Sequence, residues 1–276
     1  MARHLILPDR GRLMVSTDLH GNGDDFRRLR AIFLGHVERD PDTRWAILGD
    51  LVHGPSSHAR REQPELHDYA DESAAIVEGV CDLRSRFPDR VHLFLGNHDH
   101  GHVGGKHTSR FFHDEVAHLE SRLDAQQLSA LRGLFEDALL VAAAPCGVLL
   151  AHGSPSDLLA DLERLDSIAV RPGDNGPADQ RLLTTILESY GQPGAVTARM
   201  LRQVGARHGL ELGVVIHGHD RDDEGWFADA DNQLCPVLFG APRENRRYVE
   251  LDLAGRYRSV ADIRDGVELL RVHAIS

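Results

Sequence analysis

Short apolar runs alternate with amphipathic stretches along the chain, a pattern that predicts an α/β protein. Residues 13–16, 45–48 and 91–95 have the length and apolar content of buried strands. Between the first two, Phe26, Leu29, Ile32 and Phe33 recur at helical spacing and predict a helix over 24–37. Leu66, Ala70, Ala74, Val77 and Val80 share one face and predict a longer helix from about 64 to 87. Helical character returns between 109 and 135, followed by the strand pair 139–143 and 148–151. Beyond it, helices are expected at 157–166, 178–190 and 196–208, the last ended by Gly209. A loop rich in Pro, Gly and Asp separates the first two of these over 171–177. Strands at 214–216, 237–239 and 248–253 complete the pattern. No internal repeat and no long linker interrupts it, so a single domain over 1–276 is expected.

Pro145, Cys146 and Gly147 break the longest apolar stretch, so it reads as two strands joined by a tight turn, too short to span a membrane. The apolar run near the N-terminus is too short for a signal peptide. Cys81, Cys146 and Cys235 lie far apart with no CxxC spacing, which fits neither a disulfide framework nor a thiolate zinc site. A cytoplasmic protein is expected. The formal net charge of −12 argues against a sequence-independent grip on nucleic acid, although it leaves room for a local basic pocket.

The polar residues are less evenly spread. Eighteen histidines is a high count, and many of them stand where strands end. Asp18 and His20 follow the first strand, Asp50 the second, and Asn97 and His98 the third. His152 follows the strand at 148–151, and His217 and His219 the one at 214–216. Each group adjoins a glycine, which lets the backbone turn sharply and come close to a ligand. If the strands are neighbours in one sheet, these carboxylates, imidazoles and the carboxamide converge. Such a mixed oxygen and nitrogen set suits two divalent ions such as manganese, iron or zinc, and fits neither a calcium cage nor a thiolate site.

The order D-x-H, G-D, G-N-H-D, H-G, G-H is similar to that of the calcineurin-like metallophosphoesterases, and more narrowly resembles the serine/threonine protein phosphatases. "DLHGNGDDFRRL" resembles "GDxHGQxxDLxxL", "GDLVHGP" resembles "GDYVDRG", and "LFLGNHD" resembles "LLRGNHE". "HGHDRDDEGWF" and "PVLFGAPRE" are similar to later blocks of the same family, in the same order. The resemblance implies a four-layer α/β/β/α sandwich with a dinuclear metal site at the strand ends. It implies that Asp18 and His20 bind one metal, that Asp50 bridges both, and that Asn97, His152 and His219 complete the second. His98 is implied as the general acid, with direct in-line attack on phosphorus by a metal-bridging water. His217 is a further ligand or a strand-end residue bonded to backbone.

The chain also departs from the family. His53 stands where an Asp would orient the catalytic histidine, and the neighbouring phosphate-clamping arginine is absent. A second family arginine has no counterpart in "YGQPGAVTARML", and "GAPRE" replaces "SAPNY". Arg110, Lys106 and Arg243 are candidate replacements for phosphate binding. Either His53 makes no contact with His98 or the two titrate as one coupled unit; Asp99 or Asp114 could otherwise take over the orienting role. The expected activity is metal-dependent phosphomonoester hydrolysis, on a phosphoprotein or a small phosphoester. A dinucleoside polyphosphate hydrolase is the alternative, because those relatives carry "GDLVxRGP" and "GNHDxH". An inactive binding scaffold of the same fold is the third reading; the complete ligand set argues against it.

Overall fold

The computed structural model describes residues 2–171 and 173–274; Pro172, in the loop expected at 171–177, lies outside them. Two sheets face each other. One has six strands in the order β1 (His4–Ile6), β5 (Val141–Ala144), β6 (Val148–Ala151), β7 (Val214–Ile216), β9 (Gln233–Pro236), β8 (Trp226–Ala230). The other has five in the order β11 (Leu269–Arg271), β10 (Arg247–Asp252), β2 (Arg12–Ser16), β3 (Arg44–Ile47), β4 (Val91–Leu93). β2, β3 and β4 run parallel, as do β6 and β7, so the C-terminal ends within each of these groups share an edge.

Side-chain alternation explains the layers. Leu13 and Val15 of β2, Ala46 beside them, and Val148, Leu150, Val214 and Ile216 of the opposite sheet point into the space between the sheets. Their neighbours Met14, Trp45, Ile47, Leu149 and Val215 point outward and are just as deeply buried, because helices cover them. α1 (Gly23–Arg39) and α3 (Ser73–Arg86) supply Phe26, Leu29, Phe33, Ile76, Val77 and Val80 to one outer layer. α7 (Pro177–Glu188) and α8 (Gly194–His208) supply Leu182, Ile186, Met200 and Val204 to the other. Fully burying one such side chain stabilises by roughly 1.5–3 kcal/mol. The four-layer α/β/β/α sandwich is therefore present.

Several expectations change. The helix expected from 64 starts at Ser73, and a separate short helix α2 occupies Ser57–Glu62. After one bond of helical spacing, His67 N–H to the Gln63 carbonyl (2.9 Å), the intervening residues are held by tertiary partners. The buried Arg246 guanidinium donates to the Leu66 carbonyl (3.3 Å) and to Asp68 (2.6 Å), and Glu72 N–H donates to Gly21 (2.9 Å). The segment 109–135 holds two helices, α5 (Glu115–Glu120) and α6 (Ala125–Glu136); Asp124 caps the second through Gln126 and Gln127 N–H. Only a 3-10 turn, Leu162–Ser167, forms where a helix over 157–166 was expected, with Asp161 accepting from Glu163 N–H. No strand forms at 237–239. Val237 N–H donates back to Gly225 (2.8 Å) and the chain turns at Gly240 (φ 87°), which swings Phe239 over the strand ends. The strands β1, β8, β9 and β11 carried too little alternation to be foreseen.

Arg246 is 1% exposed and also pairs with the buried Asp25 at 3.3 Å. Breaking a buried pair by removing one partner costs about 3–5 kcal/mol. Arg246→Ala is therefore expected to lower stability by about that much in chemical denaturation. A loss below roughly 1 kcal/mol would show that the pair is solvated and that the 63–72 segment is held by other means.

Candidate metal centre

The strand ends meet across the gap between the sheets, not along one sheet. β2, β3 and β4 deliver Asp18, His20, Asp50, Asn97 and His98 from one side, while β6 and β7 deliver His152 and His219 from the other. His152 Nδ1 lies 2.6 Å from the Leu48 carbonyl, which can only accept, so this nitrogen carries the proton. Its Nε2 then presents a lone pair 3.0 Å from Asn97 Oδ1 and 3.5 Å from Asp50 Oδ2. His20 Nε2 lies 3.5 Å from the same Asp50 oxygen and 3.8 Å from Asp18 Oδ1. Lone pairs facing one another in a buried pocket repel; a cation between them turns repulsion into coordination.

Electrostatics agree with that reading. Burial pushes the Asp50 carboxyl well above its ordinary range, with Asp18 adding to the effect, and burial also raises Asp18. Burial drives His20 well below the usual imidazole value and His219 down to about 3. Neutral imidazoles and carboxylates short of positive partners are the state that divalent ions relieve. Asp18, His20 and Asp50 could hold one ion and Asp50, Asn97, His152 and His219 a second; Asp50, His152 and His219 already place ligand atoms within 4.8 Å of one another.

The backbone is bent to suit. Asp18 (φ 51°), His20 (42°), Asp50 (51°), His53 (71°) and His219 (74°) are the non-glycine residues with positive φ among the described residues. All of them lie at or against this centre. Outside glycine such a conformation is uncommon, although Asn, Asp and His adopt it more readily than other residues, and each instance costs roughly 1–3 kcal/mol. Neighbouring glycines make the close approach possible: a Cβ on Gly96 would collide with Asp50 Oδ1, and one on Gly218 with Thr17 Oγ1 and Asp18 Oδ2.

Of the other residues singled out in the sequence, Asp99 is fully buried. Its carboxylate accepts from the backbone N–H groups of Asp50 (2.7 Å), Leu51 (3.0 Å) and Gly96 (3.2 Å), facing away from the cleft. It holds loops rather than reacting groups, so it does not take over the orienting of His98. Asp114 caps α5 and pairs with His107, so it does not orient His98 either. His217 is buried, with Nδ1–H donating to the Gly218 carbonyl (2.9 Å), and stands outside the cleft. His53 does touch His98, Nδ1 to Nδ1 at 3.0 Å.

The cleft over the centre has a volume of about 350 Å³. Lys106 and Arg110 line it; the Arg110 guanidinium lies 4.4 Å from the Phe239 ring centre. Arg243 does not line it, being tied to Asp24 at 2.8 Å, so it is not a phosphate ligand in this arrangement. Two residues went unnoticed in the sequence. Arg221 lines the cleft, two positions after His219 in the same strand-end loop, a spacing that could have flagged it. Glu115 Oε2 is buried without a hydrogen-bond partner, 3.5 Å from His98 Nδ1, and no local pattern announces it.

The calcineurin-like phosphoesterase pattern matches residues 11–222, most of the chain. The chain belongs to that family. No curated protein sequence matches it. Among solved structures it is similar to a protein serine/threonine phosphatase from Saccharomyces cerevisiae with similarity to human phosphatase PP5. That match has 15% identity and a TM-score of 0.63, and covers 91% of this chain and 76% of that one. It is also similar to a cold-active protein-tyrosine phosphatase of the psychrophile Shewanella sp., with 14% identity and a TM-score of 0.55, covering 94% and 82%. At such identities the likeness is one of fold. The family, together with the buried His/Asp cluster, makes the protein a phosphoesterase with a centre suited to two divalent metals. No helix among the described residues is long and apolar enough to cross a membrane.

Asp50 touches ligands of both halves of the centre, so Asp50→Asn is expected to reduce bound metal more than Asp18→Asn does. Gly218→Ala should act like Asp18→Asn, by displacing that carboxylate. Metal analysis of the purified variants measures this, and an Asp50→Asn protein with unchanged metal content would refute the shared-ligand geometry.

Proposed function

We propose that the protein is a phosphomonoester hydrolase of the serine/threonine protein phosphatase type. The observation that carries this reading is the convergence of Asp18, His20, Asp50, Asn97, His152 and His219 beneath a cleft that His98 also lines. When bound, two divalent ions such as manganese, iron or zinc polarise the phosphoryl group and let water act as nucleophile at neutral pH. The chain supplies the rest. Lys106, Arg110 and Arg221 place positive charge along the cleft wall, in reach of a phosphate group. These three replace the arginines missing from the family's blocks. His98, held by its own N–H to Asp50 Oδ1 (2.9 Å) and by its ring to His53, protonates the leaving oxygen. The substrate is a phosphorylated side chain or a small phosphoester. The three free cysteines fit a reducing compartment such as the cytoplasm.

One observation favours a second reading, dinucleoside polyphosphate hydrolysis. Tyr190 is 58% exposed at the cleft edge, a ring on which a base could stack. An inactive scaffold is disfavoured, because five strained backbone positions would then be kept with no reaction to serve.

Turnover of para-nitrophenyl phosphate, a phosphoserine peptide and a diadenosine polyphosphate, each with added manganese, separates these readings. Positioned acid catalysis contributes roughly 10²–10⁴-fold. His98→Asn is expected to lower kcat on the peptide by about that factor, with metal content intact, and to lower it far less on the aryl ester, whose leaving group needs little protonation. Equal losses on both substrates would remove His98 from the acid role.

A further inference from the structure

His98 does not end its hydrogen bonding at His53. His53 Nε2 lies 3.0 Å from His102 Nε2, His102 Nδ1 lies 3.0 Å from Glu120 Oε1, and Arg132 donates to Glu120 Oε2 at 2.7 Å. His53 and His102 are 3% and 4% exposed. The tautomers along such a chain are fixed by its end. A carboxylate can only accept, so His102 carries its proton on Nδ1 and presents Nε2 as an acceptor. His53 must then donate through Nε2 and accept through Nδ1. His98 must in turn donate through Nδ1, which leaves its Nε2 for the cleft, the atom that takes up a second proton before giving it to the leaving oxygen. Both intermediate rings are neutral: burial drives His53 down to about 3, with His102 adding to the effect, and burial lowers His102 as well.

We propose that His53, His102 and Glu120 are positioning residues that together do the work of the single carboxylate absent from this chain, fixing the tautomer and orientation of His98 from two imidazoles away. The role of His98 as acid rests on the function proposed above; the hydrogen-bond chain does not. Two other groups compete for His98 Nδ1. The Thr108 hydroxyl is 3.2 Å away and shared with His53 at 3.3 Å, and Glu115 Oε2, at 3.5 Å, is beyond ordinary hydrogen-bond length. His53 Nδ1, at 3.0 Å, is the nearest acceptor.

A double-mutant cycle tests this. With an alkyl phosphate as substrate, His102→Phe is expected to lower kcat about 10-fold or more, within the roughly 10²–10⁴-fold that positioned acid catalysis contributes, while KM and metal content hold. Glu120→Ala, at a partly exposed site, should act in the same direction and guards against misfolding of the core variant. In a His53→Asp background a carboxylate stands directly beside His98, so His102→Phe should then cost little. A purely structural role for His102 would cost the same in both backgrounds and would overturn the proposal. So would a full loss in Glu115→Gln with none in His102→Phe, which would make Glu115 the acceptor. Ring-nitrogen NMR of the zinc-loaded protein reads the tautomers without any turnover. Protons on Nδ1 of His98 and His102 and on Nε2 of His53 are expected, and a His98 protonated only at Nε2 would refute the chain. Those tautomers in a protein that hydrolyses no phosphoester would leave the relay standing and overturn the proposed function instead.

Discussion

One buried carboxylate ties the centre together. Asp99 takes backbone N–H groups from Asp50 and Leu51 on one loop and from Gly96 on the next, so the loops after β3 and β4 cannot move independently. The loop after β2 joins them through Asp18 N–H to Gly49 (3.1 Å) and His20 N–H to Asp50 (2.9 Å). The opposite sheet joins through His152 Nδ1–H to Leu48 and His219 N–H to Asp18 Oδ2 (2.9 Å). Burial raises the Asp99 carboxyl, with the Asp50 charge adding to it, and the Gly96 and Leu51 N–H groups oppose that shift. Loop geometry and metal affinity are thus two aspects of one network.

Much of this was legible in the sequence, for identifiable reasons. Buried strands and the amphipathic helices α1, α7 and α8 carry their periodicity in the chain, because sandwich layers enforce it. The segment around 63–72 and the turn at 237–240 do not. Their shapes are set by Arg246 and by the Gly225 carbonyl, partners far away in sequence. The six candidate metal ligands were visible because each stands at a strand end, five of them directly beside a glycine. Their meeting across two sheets was not, since apolar runs do not say which sheet a strand joins. Glu115 depends wholly on the fold, and only the fold decides that His53, 45 residues from His98, touches it. The departure at His53 was visible as a loss; how the chain answers it with His102 and Glu120 was not.

The cleft gathers cationic side chains within an acidic protein. Against a formal net charge of −12, Lys106, Arg110 and Arg221 gather at one opening, two of them stacked against Phe239. The cleft lining also holds the carboxylates Asp18, Asp50, Glu188 and Asp220, so these cations draw in a phosphate dianion only once bound divalent ions offset that acidic charge. Burial lowers the Arg221 pKa, and the Asp18 carboxylate beneath it opposes that shift.

The left-handed backbone at Asp18, His20, Asp50, His53 and His219 has a bearing on redesign. A procedure that ranks substitutions by folding stability would favour glycine at these positions, where it relieves the torsional cost. Each such choice would make a sturdier protein and delete a group that the centre or its neighbour His98 uses. Thermal robustness and chemistry compete here at single residues, so variants selected for heat resistance alone would drift toward a well-folded protein with no reaction left in it.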